Sequence, residues 1–321
     1  MKSSRPLIIG SRGSKLALVQ AHWVKEQIAA AHPDLLIESK VIKTEGDRRH
    51  DLPPEAFGRE GIFTAELDHA LEARTIDLAV HSLKDLPTRL PESLTLAAVS
   101  RREPVEDVLI IRNEAALPGS PEDPLSALPQ GAKVATSSLR RSAQLKHRRP
   151  DLTFVPLRGN LDTRLRKLDQ GQADAIIVAR AGLNRLGFAL EESRHRSFRL
   201  DLDLSLPAAG QGALALETRA DDQFAIELAR AVHDQTTYLA VIAERTAMAE
   251  LGAGCRIPAG FFGQITGDAL ILKGVVAHPS GEPLYRAEVT VSPADPIAAG
   301  KLLARKLQAQ GADQVLKEIR G

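Results

Sequence analysis

Cysteine is almost missing from this chain: Cys255 is the only one in 321 residues. A single thiol excludes an intramolecular disulfide and any cysteine-rich metal site. The nine histidines show no paired metal-ligand spacing, so no metal is expected. Aromatic residues are scarce as well, at 3%, and none interleaves a basic cluster to form a stacking surface for bases. Charge of one sign does not prevail either. Lys and Arg number 42 against 41 Asp and Glu, a net charge of +1, so attraction for a charged partner must come from local clustering. These two shortages argue against a nucleic-acid partner. Walker-type and GxGxxG loops are absent. No apolar run approaches a membrane span, and Leu7–Ile9 is too short for a signal peptide, so a cytoplasmic protein is expected.

What is present is an alternation of strand-like and helix-like segments. The run PLIIGS is strand-like, and Leu16, Val19, Trp23, Val24 and Ile28 then recur at helical spacing. LIESKVI, DLAVHS, LTLAAVS and VLIIR read as strands, with a helix bearing Phe63, Leu67, Ala70 and Leu71 among them. The Pro- and Gly-rich stretch 113–131 suits a long loop. The pattern restarts with KVATS, the helix SLRRSAQLKHRR, the strand LTFVPLRG, the helix NLDTRLRKLDQG and the strand DAIIVAR. Asn160 is placed to cap that second helix and Gly171 to stop it. LPAAGQGA reads as a linker into helices carrying Phe224, Leu228 and Val232, and then Leu239 to Leu251. ALILKGVV, YRAEVTV and a helix from about Asp295 to Gln310 suggest a smaller third domain. Strands alternating with helices indicate an α/β fold with mixed or parallel sheets.

Three places could carry chemistry. Arg140 and Arg141 follow Thr136, Ser137 and Ser138 at a strand-to-helix turn, where amide groups, hydroxyls and guanidinium forks favour an anion. The same arginines could equally belong to a solvated basic helix face. Lys84 and Asp85 lie just past DLAVHS, a position where α/β loops build sites. Asp85 could stabilise a cation or move a proton, or simply form the turn before Leu86 and Pro87. Cys255, in LGAGCRIP, is either an inert buried thiol or a nucleophile favoured by Arg256. His81 reads as structural or site-lining.

The segments SRGSKLALVQ, TEGD, AVHSLKDLPT, TSSLRRSAQL, LRGNLDTRLRKLD, AGLNRLG, LPAAGQGALALE and LGAGCRIP occur in the order found in the porphobilinogen deaminase family, also called hydroxymethylbilane synthases. The chain resembles that family over nearly its whole length. The resemblance implies two periplasmic-binding-protein-like α/β lobes, with the active cleft between them, and a smaller C-terminal α/β domain. Residues 6–105 with 213–230 would form the first lobe, 106–206 the second, and 235–321 the cofactor-carrying domain. It further implies a dipyrromethane cofactor in thioether linkage to Cys255, with Lys84, Ser82, Arg140, Arg141, Thr136, Ser138, Arg158, Arg164 and Arg185 around it. Arg12, Ser14, Gln20, Phe63 and Gln211 would meet the substrate porphobilinogen, and Asp85 would be the catalytic carboxylate. The expected reaction deaminates four porphobilinogens, joins them head to tail on the primer and releases a linear tetrapyrrole by hydrolysis. A monomer suffices for this.

The chain departs from the family's pattern in FGREGIFTAEL. Glu60 replaces the usual lysine, Ala65 sits where lysine or glutamate is common, and Ala253 stands for the usual glycine in LGAGC. Two other readings are a non-catalytic two-lobed anion-binding protein and a degenerate paralogue that has lost turnover.

Overall fold

The computed structural model describes residues 5–43, 64–120, 122–188, 195–252 and 257–320. Cys255, Phe63, Glu60 and Ala253 lie outside the described residues. The chain forms two compact units, residues 1–103 with 210–239 and residues 104–209 with 240–321.

In the first unit, strand β1 (Leu7–Arg12) leads through helix α1 (Lys15–Ala31) to β2 (Ile37–Ile42). The two strands pair in parallel, as a helical crossover requires. Helix α2 (Ala65–Glu72) precedes β3 (Leu78–Ser82), which joins the other edge of β1, also in parallel. β4 (Leu94–Val99) completes the local strands. The sheet order β2-β1-β3-β10-β4 includes β10 (Leu214–Arg219), which returns from beyond the second lobe and runs antiparallel to both neighbours. One face of the sheet packs Leu7, Ile9, Leu78, Val80, Leu214 and Leu216 against Val24 and Ile28 of α1. Burying each of those two aliphatic chains contributes about 1.5–3 kcal/mol. The opposite face holds Ile8 and Ala79 against Leu67, Ala70 and Leu71 of α2.

The second unit repeats the plan. β5 (Asp107–Ile111) is followed by β6 (Lys133–Ala135), α3 (Leu139–Arg148), β7 (Thr153–Val155), α4 (Leu161–Asp169), β8 (Ala175–Ala179), the short α5 (Arg180–Arg185) and β9 (Arg196–Leu200). Their order is β7-β6-β8-β5-β9, with β6 parallel to β7 and β8, and β5 antiparallel to β8 and β9. Both five-stranded sheets therefore join three parallel strands to an antiparallel pair. Asn160 caps α4 by accepting from the Thr163 amide at 3.0 Å, and Gly171 adopts φ +71° past its end, as their sequence positions suggest.

Helices α6 (Gln223–Ala229) and α7 (Gln235–Glu250) follow β10. The C-terminal portion is a three-stranded antiparallel sheet of β11 (Ala259–Thr266), β12 (Ala269–Ala277) and β13 (Leu284–Val291), covered by α8 (Pro296–Gln310) and α9 (Ala312–Arg320). Its core joins Phe261, Leu270, Leu272 and Val276 to Leu303, Leu307 and Leu316.

Several expectations need correction. On α1 the buried face runs through Ala17, Gln20, Ala21, Val24 and Ile28, whereas Trp23 is exposed. The helical repeat was anchored on the largest side chains, but small ones face the sheet. Residues 113–131 include two short 3-10 turns, which tuck Leu125 and Leu128 into the second core. Strands β9, β10 and β11 were not anticipated.

Candidate active site

The first unit carries a pocket at the carboxyl ends of β1 and β3, where the chain turns from β1 into α1 and from β3 into a 3-10 turn (Leu83–Asp85). Arg12, Ser14, Gln20, Thr64, His81, Ser82 and Asp85 supply its polar lining. Ligand sites sit outside the carboxyl ends of parallel strands because strand-to-helix turns there leave polar groups unspent. Ser14 caps α1 by accepting from the Ala17 amide at 3.3 Å. Gln20 donates to Ser82 Oγ at 3.0 Å and so holds the floor between α1 and β3. Lys84 Nζ reaches Gln211 Oε1 at 3.5 Å, while Arg102 Nε donates to the Gln211 carbonyl at 2.8 Å. Asp85 is exposed in the pocket, and its carboxylate has no hydrogen bond or ion pair among the described residues. It is an acceptor open to a ligand.

In the second unit the TSSLRR turn is built differently from a bare anion cradle. Ser138 Oγ caps α3 by accepting from the Arg141 amide at 3.4 Å, and Thr136 Oγ1 accepts from the Ser138 amide at 3.2 Å. Arg140 and Arg141 are buried and converge on Asp107, at 2.9 Å and 2.6 Å. Arg140 also donates to the Leu206 carbonyl and Arg141 to the Ile177 carbonyl. Burial alone would raise the Asp107 carboxyl, but the two guanidinium charges and their hydrogen bonds outweigh it. The group is held well below the usual carboxylate range. Burial in turn draws the Arg140 guanidinium down, against the support of Asp107. Arg158, Arg164 and Arg185 are half-buried around α4 and α5, with Arg164 Nε donating to the Gly159 carbonyl at 2.8 Å.

Thus Arg12, Ser14, Gln20, Ser82 and Asp85 come together in one pocket, and Lys84 and Gln211 meet each other. Asp107, the counter-charge of the paired arginines, escaped sequence reasoning. It stands directly after Glu106 at the head of the apolar run DVLII, which forms a fully buried strand. Thr64 was missed too, and His81 proves to line the pocket.

In the first unit's pocket, the Arg12 guanidinium, hydroxyls and the Gln20 amide stand with the open Asp85 carboxylate, a set able to meet a small ligand that carries carboxylates and N–H donors. Dipyrromethane, which the sequence resemblance implies, has that chemistry in its acetate and propionate groups and its pyrrole N–H groups. The residues present fit it.

The porphobilinogen deaminase, dipyromethane cofactor binding domain matches residues 7–227, and the porphobilinogen deaminase C-terminal domain matches residues 238–309. A porphobilinogen deaminase of Roseiflexus sp. (strain RS-1) is 45% identical over 97% of this chain and 98% of its own length. One of Desulforudis audaxviator (strain MP104C) is 46% identical over 98% of each. Among solved structures, the Bordetella pertussis BvgS periplasmic VFT2 domain aligns at 16% identity over 72% of this chain and 88% of its own, with a TM-score of 0.41. The chain belongs to the porphobilinogen deaminase family. Its activity is that of a transferase, hydroxymethylbilane synthase, which condenses four porphobilinogens on a dipyrromethane cofactor and releases the linear tetrapyrrole. No helix among the described residues is long and apolar enough to cross a membrane.

Proposed function

We propose that Asp85 is the catalytic carboxylate of this synthase and that Cys255 anchors the dipyrromethane. The observation that carries the first assignment is the open Asp85 carboxylate, the one acid in a pocket whose other polar side chains can all donate. The second rests on the family resemblance of LGAGCRIP, which carries the chain's only thiol. When bound, the cofactor supplies the primer to which the first substrate ring is joined.

The chain's own residues then act on porphobilinogen. Loss of ammonia leaves a cationic substrate, and a carboxylate facing it stabilises the developing charge, accepts pyrrole N–H hydrogen bonds and assists proton transfer. Arg12, with Ser14, Gln20 and Gln211 nearby in the fold, binds substrate carboxylates. Phe63 belongs to the same group by its family match. Arg158, Arg164 and Arg185 pair with carboxylates through bidentate forks, and Lys84, Ser82, Thr136 and Ser138 add donors. Arg140 and Arg141 keep this role only through the edges that Asp107 leaves over. Its ion pairs with both fix where those guanidiniums sit. The protein works as a cytoplasmic monomer with no nucleic-acid or membrane partner, divided at 6–105 with 213–230, 106–206 and 235–321.

Asp85→Asn tests the reading, since the amide keeps the size and loses the charge. Turnover should fall at least a hundredfold, measured as ammonia release under saturating porphobilinogen, with thermal stability unchanged. Near-normal turnover would remove Asp85 from the chemistry.

A further inference from the structure

Behind the pocket wall lies a group of ionisable side chains that the assignments above leave without a task. Asp68 on α2, His81 on β3 and Glu217 on β10 bring an Nε2 or carboxylate oxygen each within 4.8 Å of one another. The β3–β10 register pairs His81 with Ala215 and Ala79 with Glu217, so His81 and Glu217 are diagonal neighbours on the sheet face that α2 covers. The pairing of β10 with β4 slips between Leu216 and Glu217, leaving Ala97 as the extra residue. Such bulges commonly re-aim side chains next to sites.

The group is short of hydrogen-bond donors. Glu217 is fully buried, and neither of its carboxylate oxygens has an aligned hydrogen bond among the described residues. His81 Nε2 stands 2.9 Å from Glu217 Oε2 but off the line of a hydrogen bond. Asp68 Oδ1 is buried without a partner, and its Oδ2 has only Thr64 Oγ1 at 3.5 Å. Two carboxylates this close and this dry cannot both stay ionised beside one imidazole without a large cost. A bound proton relieves that cost. Burial, and then the charge of Glu217, push the Asp68 carboxyl up to about 7, against the opposing pull of His81.

Among the described residues, the surrounding charges do not supply the missing donor. Arg12 at the end of β1 lines the pocket alongside His81. Arg219, on the same face of β10, is committed to Asp77 and Asp222. Glu66 and Glu72 on α2 add negative charge, Asp85 lines the pocket with His81, and Lys84 precedes it in the 3-10 turn. On β2, Lys40 donates to the Thr75 carbonyl.

We propose that Asp68, His81 and Glu217 act as one proton-holding unit, which exchanges a proton with the reacting substrate through the edge of His81 that lines the pocket. This rests on the reading of that pocket as the catalytic one. Each condensation breaks the C–N bond of the substrate aminomethyl group, and the electron pair leaves with nitrogen as ammonia. A C–C bond forms, and the attacking ring carbon gives up one proton. The unit gives a proton through His81 to the aminomethyl nitrogen, which leaves as ammonia, and takes one back at His81 from the attacking ring carbon. The balance needs no other reactant.

The test uses the purified full-length enzyme labelled with ¹³C at the aspartate carboxyls and ¹⁵N in histidine, followed by NMR across pH 5 to 9. One aspartate carboxyl should titrate near neutrality, and the ¹⁵N shifts of the neighbouring His81 ring should register that step. Asp68→Asn should abolish that step. It should also lower kcat about tenfold or more, with KM changed less than about twofold, and flatten the acid limb of the kcat–pH profile. Glu217→Gln, which keeps the shape, should do the same. The proposal fails if no aspartate titrates above pH 6 in the wild type, or if Asp68→Asn keeps kcat and its pH profile. An inactive Asp85→Asn enzyme with a silent cluster would sink this proposal alone. An active one would sink the assignment of the pocket instead.

Discussion

Asp107 shows how one carboxylate can set the character of a basic cluster. It is fully buried at the head of β5 and holds two guanidiniums that would otherwise be buried charges without a counter-ion. Asp107→Asn should therefore destabilise the protein by about 3–5 kcal/mol, the usual result of breaking one side of a buried pair. Because the folded-state carboxyl lies below its unfolded value, its stabilisation is fully present above the unfolded value of roughly 4. It is lost only as the pH falls through the depressed folded value. Urea unfolding of both proteins at pH 7 and pH 5 should give the same difference, and a loss under about 1 kcal/mol at either pH would contradict the account. The arginines were plain in the sequence, as was Asp85. Their partner was not, because nothing local distinguishes an aspartate before an apolar strand from one in a turn. His81 and Glu217 were obscure for the same reason: their meaning comes from a diagonal contact between strands more than a hundred residues apart.

Elements were legible where the apolar period was clean. β1, β3, β5, β8, α2 and α4 all followed it, and the caps of α4 added independent support. β10 failed because LALETR breaks the alternation with Glu217, Thr218 and Arg219, all three buried, Arg219 against Asp77 and Asp222. The preceding LPAAGQGA looked like a linker for its glycines, yet Gly212 serves a close approach to the chain. Its φ is +94°, and a Cβ there would lie 2.5 Å from the Glu103 carbonyl oxygen. Gly131 has a similar left-handed φ of +70° but open space around it. Gly131→Ala should thus cost only the backbone term, roughly 1–2 kcal/mol. Gly212→Ala should cost more, because the Glu103 carbonyl must also move. Thermal melts of the two variants should rank in that order, and equal losses would mean that the strand entering β10 gives way without resistance.

At the scale of the whole molecule, a net charge of +1 conceals the chemistry, since the enzyme handles a product that gains carboxylates with every ring added. The three-sheet architecture was readable from the order of the motifs, whereas the exchange of β10 into the first sheet came only with the fold. The lone cysteine carries the largest inference of this kind: one thiol in the chain leaves one place for a thioether. Intact-mass measurement of the protein as purified should show an increment of two linked porphobilinogen-derived rings, and peptide mapping should put it on Cys255. Cys255→Ala should have the unmodified mass, stay unmodified after incubation with porphobilinogen, and form no tetrapyrrole. An adduct surviving in that variant would place the anchor on another side chain. An unmodified wild-type thiol that gains the adduct on incubation would mean the chain had been isolated as apo-enzyme, able to build its primer from its own substrate. A thiol that stays bare under the same treatment would leave a protein that binds anions without joining them.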